Sequence, residues 1–290
     1  MPHEPARMRT SYSSDFLYTL TTDELRMDGF RRAMATHRAK RVLEIGCGPW
    51  APLVKLSLEA SAEHVTAVEA SPAHAQMARK QVAHYGDRVQ ILSGRSMSLP
   101  TELLAEQEPE LLVAELLGYT ASKEGAPAIL ADVQHRLGPL PTVPKRASSY
   151  LAPAQTLEVG LYDSRNFPED LHLAEGQLWE DYDFECLEKQ KPQANNEGSL
   201  QEQLQQRKRL TFQVPVGSEV GGTLLWMQTE LSDSNVIDTR RDFTSWNQYY
   251  LHLEPQVVED GQLEVCTAVD ARTEDVTYEF QVGQRKFSVV

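Results

Sequence analysis

The chain has 290 residues and an acidic composition, with 42 Asp and Glu against 28 Lys and Arg and a formal net charge of −14 at pH 7. Proteins whose main partner is nucleic acid use clustered Lys and Arg to contact phosphates. This composition therefore argues against nucleic acid and favours a cationic substrate. Hydrophobic residues make up 41% of the chain, which is enough for a substantial core and excludes a wholly disordered protein.

The N-terminus and the cysteines indicate where the protein works. The first residues lack the apolar core of a secretion signal, and no stretch approaches 18 uncharged apolar residues, so we expect no membrane contact. Cys47, Cys186 and Cys266 are odd in number and widely spaced, which suits a reducing compartment. The sequence contains no CxxC pair of the kind that would indicate a metal site. We therefore expect a cytoplasmic protein without a bound metal.

The first half of the chain alternates helical and extended periodicity. Amphipathic spacing predicts helices at 25–36, 52–60, 72–84 and 129–137, and short apolar runs predict strands at 41–46, 64–71, 88–94 and 110–118. Repeated β-α-β units of this length predict an α/β doubly wound parallel sheet of the Rossmann-like kind. The ligand site of such a sheet lies at the carboxyl ends of its strands.

The second half of the chain has a different pattern. Pro139, Pro141 and Pro144 end the α/β alternation, and seven short strand-like runs follow. We therefore expect an antiparallel β-barrel-like domain after the sheet. The predicted organisation is an N-terminal helical segment at 1–40, a Rossmann-like domain at 41–144 and a β-barrel substrate domain at 145–290.

A glycine loop follows the first predicted strand. Gly46 allows a tight turn, and Gly48 lets the backbone approach a ligand without a Cβ in the way. Glu69 ends the second strand about 20 residues further on, where a carboxylate can accept hydrogen bonds from ribose hydroxyls. The pattern predicts a nucleoside-cofactor site, and the alternative is a glycine turn that serves packing alone.

The loop does not decide between two nucleoside cofactors. Its residues GCGPWA satisfy a dinucleotide fingerprint, so an NAD-dependent oxidoreductase stays open. Glu44 is placed to meet an amino-acid end, and the bulk of Pro49 and Trp50 crowds the helix N-terminus that a pyrophosphate needs. These features favour S-adenosyl-L-methionine.

Two glutamates, Glu115 and Glu124, flank a glycine turn after the fourth predicted strand. Their surroundings add further motifs: EIGCG at 44–48, VEAS at 68–71, AELLGY at 114–119, PKRASSYLAP at 144–153 and TSWNQYYLHLE at 244–254. Together these motifs resemble the protein arginine methyltransferase family over about residues 20–160 and 222–283. The glutamate pair and the TSW segment are the most specific of them.

The resemblance implies S-adenosylmethionine-dependent methylation of a guanidino nitrogen. A guanidinium is planar, charged and a poor nucleophile, and two carboxylates can grip it and concentrate electron density on one nitrogen. By resemblance, Glu115 and Glu124 are this catalytic pair. The same resemblance places Arg26 at the cofactor carboxylate and Ser96 and Met97 at the adenine. The implied substrate-side residues are Tyr119, Ser245 and Trp246.

The sequence departs from the family at the substrate side. Thr244-Ser245-Trp246 stands where the family has Thr-His-Trp, so a His–Asp relay is absent and the proton must leave through a glutamate or water. The expected substrate is an arginine-containing protein or a small guanidino compound such as free arginine. A non-catalytic, cofactor-binding regulatory member of the family is the alternative.

The resemblance also concerns assembly. Residues 167–191 stand where the family inserts a helical arm that joins two subunits, and Trp179, Tyr182 and Phe184 cluster there. The interpretation is a dimerisation arm in a homodimer, and the alternative for these aromatics is local packing under the barrel.

Overall fold

The computed structural model describes residues 14–157, 163–164, 167–187, 200–283 and 285–289. Its first half forms a five-stranded parallel sheet with the order β3-β2-β1-β4-β5. The strands are β1 Arg41–Ile45, β2 His64–Glu69, β3 Val89–Ser93, β4 Leu111–Ala114 and β5 Thr142–Val143. The helices are α1 Ser14–Thr21, α2 Glu24–His37, α3 Pro52–Glu59, α4 Pro72–Val82, α5 Thr101–Ala105 and α6 Ala126–Leu137.

The central strands are apolar because both faces of the sheet are covered. Every residue of β4 is buried, as are all but the first residues of β1 and β2. From β1 the chain moves outward to β2 and β3, and it then crosses to β4 on the other side of β1. The carboxyl ends of β1 and β4 therefore form the switch point at which such sheets bind ligands. The predicted doubly wound sheet is confirmed.

The second half is antiparallel. One sheet has six strands, in the order β7-β12-β10-β6-β8 with β11 beside β10, and the other has the order β15-β14-β13-β9. The strands are β6 Arg146–Ala154, β7 Asp163–Ser164, β8 Gln177–Asp183, β9 Gln205–Gln213, β10 Ser218–Ser232, β11 Asn235–Asp238, β12 Gln248–Val258, β13 Gln262–Asp270, β14 Thr277–Val282 and β15 Arg285–Val289, and the short helix α7 is Leu200–Leu204. The parallel sheet thus gives way to antiparallel pairing after β5, near the predicted boundary at 144.

The two halves share one apolar core. A single cluster of buried side chains includes Leu112 of the parallel sheet and Phe212 of the antiparallel half. The helix α2 joins them, because the Asn235 side chain donates to the Gly29 carbonyl at 2.8 Å. The residues of α2 are therefore held at a defined position relative to both halves.

One predicted strand is too long. The apolar run at 110–118 predicts a strand throughout, whereas β4 ends at Ala114 and a loop begins at Glu115. The apolar residues beyond β4 serve loop packing: Leu117 is buried, and Leu116 lies against the loop after β1. Hydrophobicity continued past the end of the backbone pairing, which is why the sequence pattern overextended the strand.

The aromatic cluster at 179–184 corrects the interface interpretation. Trp179, Tyr182 and Phe184 are at most 1% exposed within the single chain. Trp179 and Tyr182 lie in the strand β8, where a helical arm was expected. Trp179 packs on Tyr278 at 5.9 Å between ring centroids, so the cluster belongs to the chain's own core. Residues 188–191 of the predicted arm lie outside the described residues.

Three further findings apply to the described part of the chain. No helix there is long and apolar enough to cross a membrane. No disulfide joins the cysteines of these residues. No group of three or more His, Cys, Asp or Glu among them is placed to hold a metal ion.

The burial of Phe184 makes a prediction about stability and assembly. Phe184→Ala removes a fully buried ring, and we expect the free energy of unfolding to fall by about 3–5 kcal/mol, measured by urea denaturation. Sedimentation at low temperature should show the same association state as the wild type. Val216→Ala, at a side chain that is 75% exposed, is the matched control. Wild-type stability together with loss of a dimer would show instead that the ring lies at an interface.

Candidate functional site

A cavity of about 650 Å³ opens at the carboxyl ends of β1, β2 and β4. It lies at the switch point of the parallel sheet and is bounded on its far side by the loop before β12. Ten of the predicted site residues line it: Arg26, Glu44, Gly46, Gly48, Glu69, Glu115, Tyr119, Glu124, Ser245 and Trp246. Most of the residues that the sequence predicted for cofactor binding and for the substrate side therefore line the same cavity.

The glycine loop forms the floor of this cavity. Gly46 has φ +82°, and a Cβ there would lie 2.7 Å from Leu116 Cδ2, so both its backbone conformation and its neighbour favour glycine. The Gly46 and Cys47 amides donate to the Val68 carbonyl at 2.8 and 3.2 Å. At Gly48 a Cβ would meet no atom within 4 Å and would point into open space. The loop therefore leaves room for a ligand beside Gly48, as expected.

Glu69 stands where β2 ends. Its Oε2 accepts from the Gly48 amide at 2.9 Å, and its Oε1 accepts from the Ser71 amide at 2.8 Å. Each carboxylate oxygen has two lone pairs, so both keep capacity for a further donor such as a ribose hydroxyl. The carboxylate is held rigidly by backbone groups and faces the cavity.

Glu44 is the least satisfied polar side chain of the site. It is fully buried, and neither carboxylate oxygen has a hydrogen-bond partner among the described residues. Burial, reinforced by the nearby charges of Glu115 and Glu69, raises the pKa of Glu44 to about 8. A buried carboxylate that lacks a partner and lines a cavity is suited to a cationic ligand group.

An internal arginine contacts one of the two predicted catalytic glutamates. Arg26, 1% exposed, places Nη1 2.8 Å from Glu115 Oε2 but outside hydrogen-bond angles, and its Nη2 donates to the Leu20 carbonyl at 3.0 Å. The Trp246 indole Nε1 donates to Glu115 Oε1 at 2.8 Å. The Arg26 guanidinium also lies over the Trp246 ring, 5.7 Å from its centroid. Glu115 is therefore oriented through both of its oxygens.

The structure places Asp23 in contact with both the helix α2 and the segment 244–245. Asp23 Oδ1 accepts from the Arg26 amide at 3.0 Å, which caps α2. Its Oδ2 accepts from Thr244 Oγ1, Ser245 N and Ser245 Oγ at 2.6–2.7 Å. Burial raises the pKa of Asp23, but these hydrogen bonds outweigh it and hold the pKa below its usual value. Ser245 thus takes the aspartate contact at the position where the resemblance expects histidine.

Glu124 lies at the far end of the loop that begins with Glu115. Both glutamates line the cavity, as does Tyr119 between them, whose ring lies 4.9 Å from that of Tyr249. Lys123, beside Glu124, is 4% exposed, and burial lowers its pKa against the opposing charge of Glu124. The loop therefore brings both glutamates to the same cavity.

Ser96 and Met97 do not line this cavity. Ser96 is 4% exposed and begins a 3₁₀ turn at Ser96–Ser98, and its carbonyl accepts from Arg136 Nη2 at 2.8 Å. Met97 is 39% exposed. The resemblance implies that these two residues contact the adenine, but the structure does not bring them into the cavity lining. Trp50, which the sequence analysis used to choose the cofactor, also lines the cavity, and residues that sequence reasoning missed are Leu17, Leu20, His74 and Asn247.

Comparisons with known proteins agree with the geometry. Over 123 residues, 41% of the chain, it is 34% identical to protein arginine N-methyltransferase 7 of Drosophila grimshawi, and the match spans 17% of that relative's length. No family model matches.

Solved structures are similar over nearly the whole chain at 15% identity. Arabidopsis thaliana protein arginine methyltransferase 10 has a TM-score of 0.69 and is covered over 96% of its length by 94% of this chain. The Trypanosoma brucei protein arginine methyltransferase 1 enzyme–prozyme heterotetrameric complex with AdoHcy has a TM-score of 0.72 and is covered over 99% by 96% of this chain. The chain has the fold of the protein arginine methyltransferases.

Within this arginine methyltransferase fold the cavity is strongly acidic. Of the residues that the structure describes, its lining contains the acidic side chains of Glu44, Glu69, Glu115 and Glu124 but a single guanidinium, that of Arg26. Partly buried charges are screened less than surface charges, so this excess attracts cationic groups at short range. Ligands that carry ammonium, sulfonium or guanidinium groups fit the site electrostatically.

The pKa of Glu44 predicts how stability depends on pH. With a pKa of about 8 in the folded protein and an ordinary value of 4.5 when unfolded, Glu44 keeps a proton that the unfolded chain loses. The free energy of unfolding of the ligand-free protein should therefore fall as pH rises from about 5 to about 8.

Glu44→Gln should remove this loss, so that the variant gains stability over the wild type at pH 8 and the difference shrinks towards pH 5. Urea denaturation across this range measures it, with Glu102→Gln at an exposed helical position as the control. A constant difference at all pH values would contradict the assignment.

Proposed function

We propose that this protein transfers a methyl group from S-adenosyl-L-methionine to a guanidino nitrogen of arginine. The observation that carries the proposal is the position of Glu115. It contacts a guanidinium, that of Arg26, and shares one cavity with Glu124, the glycine loop and Glu69. Because the curated relative is matched over only part of its length, the activity rests on the site itself.

The residues present fit such a cofactor. Glu69 retains lone pairs for ribose hydroxyls, and the partnerless Glu44 suits an ammonium group. Arg26 has Nε and Nη1 donors without hydrogen bonds among the described residues, which a carboxylate can use. When bound, the cofactor supplies a methyl group made electrophilic by its sulfonium sulfur. Two of the similar structures are those of relatives with AdoHcy and SAH, which supports the same cofactor here.

The glutamate pair prepares the nucleophile. Each carboxylate accepts hydrogen bonds from a substrate guanidinium and compensates its charge, which fixes the orientation of the nitrogen that is to be methylated. Glu115 is already held by Trp246 and Arg26, so the substrate meets a carboxylate that does not need to reorganise. Exclusion of water by the surrounding apolar side chains strengthens both contacts.

The proton that methylation releases needs an acceptor other than histidine. Ser245 is engaged with Asp23, and the low pKa of Asp23 makes this pair a positioning contact for the 244–246 loop rather than a base near neutral pH. We assign the proton to a glutamate of the pair or to water.

The two glutamates can be tested directly. Glu115→Gln and Glu124→Gln keep side-chain shape but remove the charge that compensates the guanidinium, so we expect kcat to fall on the order of 100-fold or more. Affinity for S-adenosylhomocysteine, measured by calorimetry, should change much less. Glu264→Gln, at an exposed strand position with 49% of its side chain accessible, is the control and should keep full activity.

A methyl-transfer assay with two substrates distinguishes a protein substrate from a small guanidino compound. Labelled S-adenosylmethionine is supplied with free arginine in one arm and with an Arg-Gly-rich peptide in the other. Label in the peptide alone identifies a protein substrate, and label in free arginine alone identifies a small guanidino substrate. Cofactor binding without label in either would favour a non-catalytic regulatory member, and binding of NAD instead of S-adenosylhomocysteine would favour an oxidoreductase.

Location and assembly stay predictions. We propose a cytoplasmic homodimer, supported by the composition of the chain and its resemblance to a family that dimerises. The aromatic cluster at 179–184 no longer contributes to the interface, because it is buried inside the single chain.

A further inference from the structure

A buried carboxylate outside the cavity contacts the loop that bears Glu124. Glu180 of β8 is fully buried. Its Oε2 accepts from Ser122 Oγ at 2.6 Å, and its Oε1 accepts from Ser149 Oγ at 2.5 Å and from the Ser122 amide at 3.4 Å. Ser122 is two residues from Glu124, so Glu180 holds the loop close to one of the proposed catalytic groups.

The contacts continue on both sides of Glu180. Ser149 Oγ accepts from the Ala121 amide at 2.8 Å, which ties a second loop residue to the strand β6. Tyr278 OH of β14 lies 3.0 Å from Ser122 Oγ and 2.9 Å from Thr120 Oγ1. Three consecutive loop residues, at 120–122, are therefore bonded to three strands of the antiparallel half.

A β-bulge aims Glu180 at the loop. Ser149 of β6 pairs with Glu180, but the next residue, Tyr150, pairs with Leu178, so Trp179 is the extra residue of β8. A bulge breaks the strict alternation of strand side chains, and Trp179 and Glu180 are both completely buried in succession. Bulges of this kind re-aim side chains near active sites.

Glu180 forms no ion pair with the residues that the structure describes. Lys208 lies within the electrostatic reach of Glu180, yet its Nζ donates to the Leu178 carbonyl at 3.3 Å. Burial raises the pKa of Glu180, while the hydrogen bonds from Ser122 and Ser149 oppose that rise. Burying a carboxylate removes its hydration at a cost in free energy that an apolar residue of similar volume avoids. The burial of Glu180 is therefore better explained by the positions of the groups it holds than by a gain in stability.

We propose that Glu180 is a positioning residue that holds the 115–125 loop, and with it Glu124, in the orientation needed to receive the guanidinium. This role rests on the proposed function, because Glu124 acts through a guanidino substrate. Glu180 itself is absent from the cavity lining and acts through Ser122. Both serine hydroxyls donate to this carboxyl group, Ser122 Oγ to Oε2 and Ser149 Oγ to Oε1.

Glu180→Gln is the first test. Glutamine keeps the shape but replaces one acceptor by an NH₂ donor, so one serine hydroxyl loses its partner and the loop loosens. Amide hydrogen exchange of residues 119–124 should become about 10-fold faster, while exchange in β1 and β2 stays as in the wild type. This measurement does not need a substrate.

Kinetics form the second readout. We expect kcat/KM for the guanidino substrate to fall about 10-fold to 100-fold, with unchanged affinity for S-adenosylhomocysteine. Ser122→Ala should give a similar loss, and the double variant should lose little more, because both changes break one linkage. Ser122→Ala also guards against a Glu180→Gln protein that fails to fold. Glu264→Gln is the matched control.

The outcomes separate the two proposals. Wild-type exchange of the loop in Glu180→Gln would overturn the positioning role, as would additive losses in the double variant. A general rise in exchange with a parallel loss of S-adenosylhomocysteine binding would show a merely structural role and would overturn it too. If the wild type transfers no methyl group, the proposed function fails, and the exchange measurement still decides the role of Glu180 in holding the loop.

Discussion

The contact between Arg26, Glu115 and Trp246 is the interaction on which the site depends. The three residues come from the helix α2, the end of β4 and the loop before β12, so the contact joins both halves of the molecule at the cavity. Arg26 is nearly completely buried, and a buried guanidinium needs a carboxylate to offset its loss of hydration. In turn, Glu115 acquires a fixed orientation. The ion pair therefore explains why the carboxylate of Glu115, the proposed catalytic group, is held in place beside apolar residues before any ligand binds.

The cavity around this contact contains more acidic side chains than basic ones. Among the described residues, Glu44, Glu69, Glu115 and Glu124 share a cavity with one guanidinium, and the pKa of Glu44 is raised chiefly by burial and further by the charges of Glu115 and Glu69. Such a site is more costly without cationic ligands than with them. The acidity of the cavity is thus specific, in contrast to the net charge of −14, which acts through a screened long-range field. The composition predicted a cationic substrate, and the cavity lining places four acidic side chains where a cationic ligand could contact them.

Two hydrogen-bond networks hold segments that carry residues of the cavity lining. Asp23 caps α2 and collects three hydrogen bonds from Thr244 and Ser245, which positions the segment that carries Trp246. Glu180 and its hydroxyl donors hold the loop that carries Glu124. Each of the two proposed catalytic glutamates is thus supported by contacts with the antiparallel half. In the proposed function, the parallel sheet supplies the residues that bind the cofactor, and the antiparallel sheets orient those that receive the substrate.

The sequence by itself determined the features that are local or periodic. The apolar runs predicted all four of the strands β1 to β4, and the glycine loop with Glu69 predicted one site at the strand ends, where both line the cavity, because turn geometry and strand ends are coded by neighbouring residues. Only the tertiary structure decided the partners of Glu115, the use of Asp23, the core position of Trp179 and the role of Glu180. Each of these depends on contacts between residues far apart in the chain, or on a bulge that reverses strand alternation. Local periodicity carries no record of either, because burial and hydrogen bonding across the fold are set only when distant segments pack.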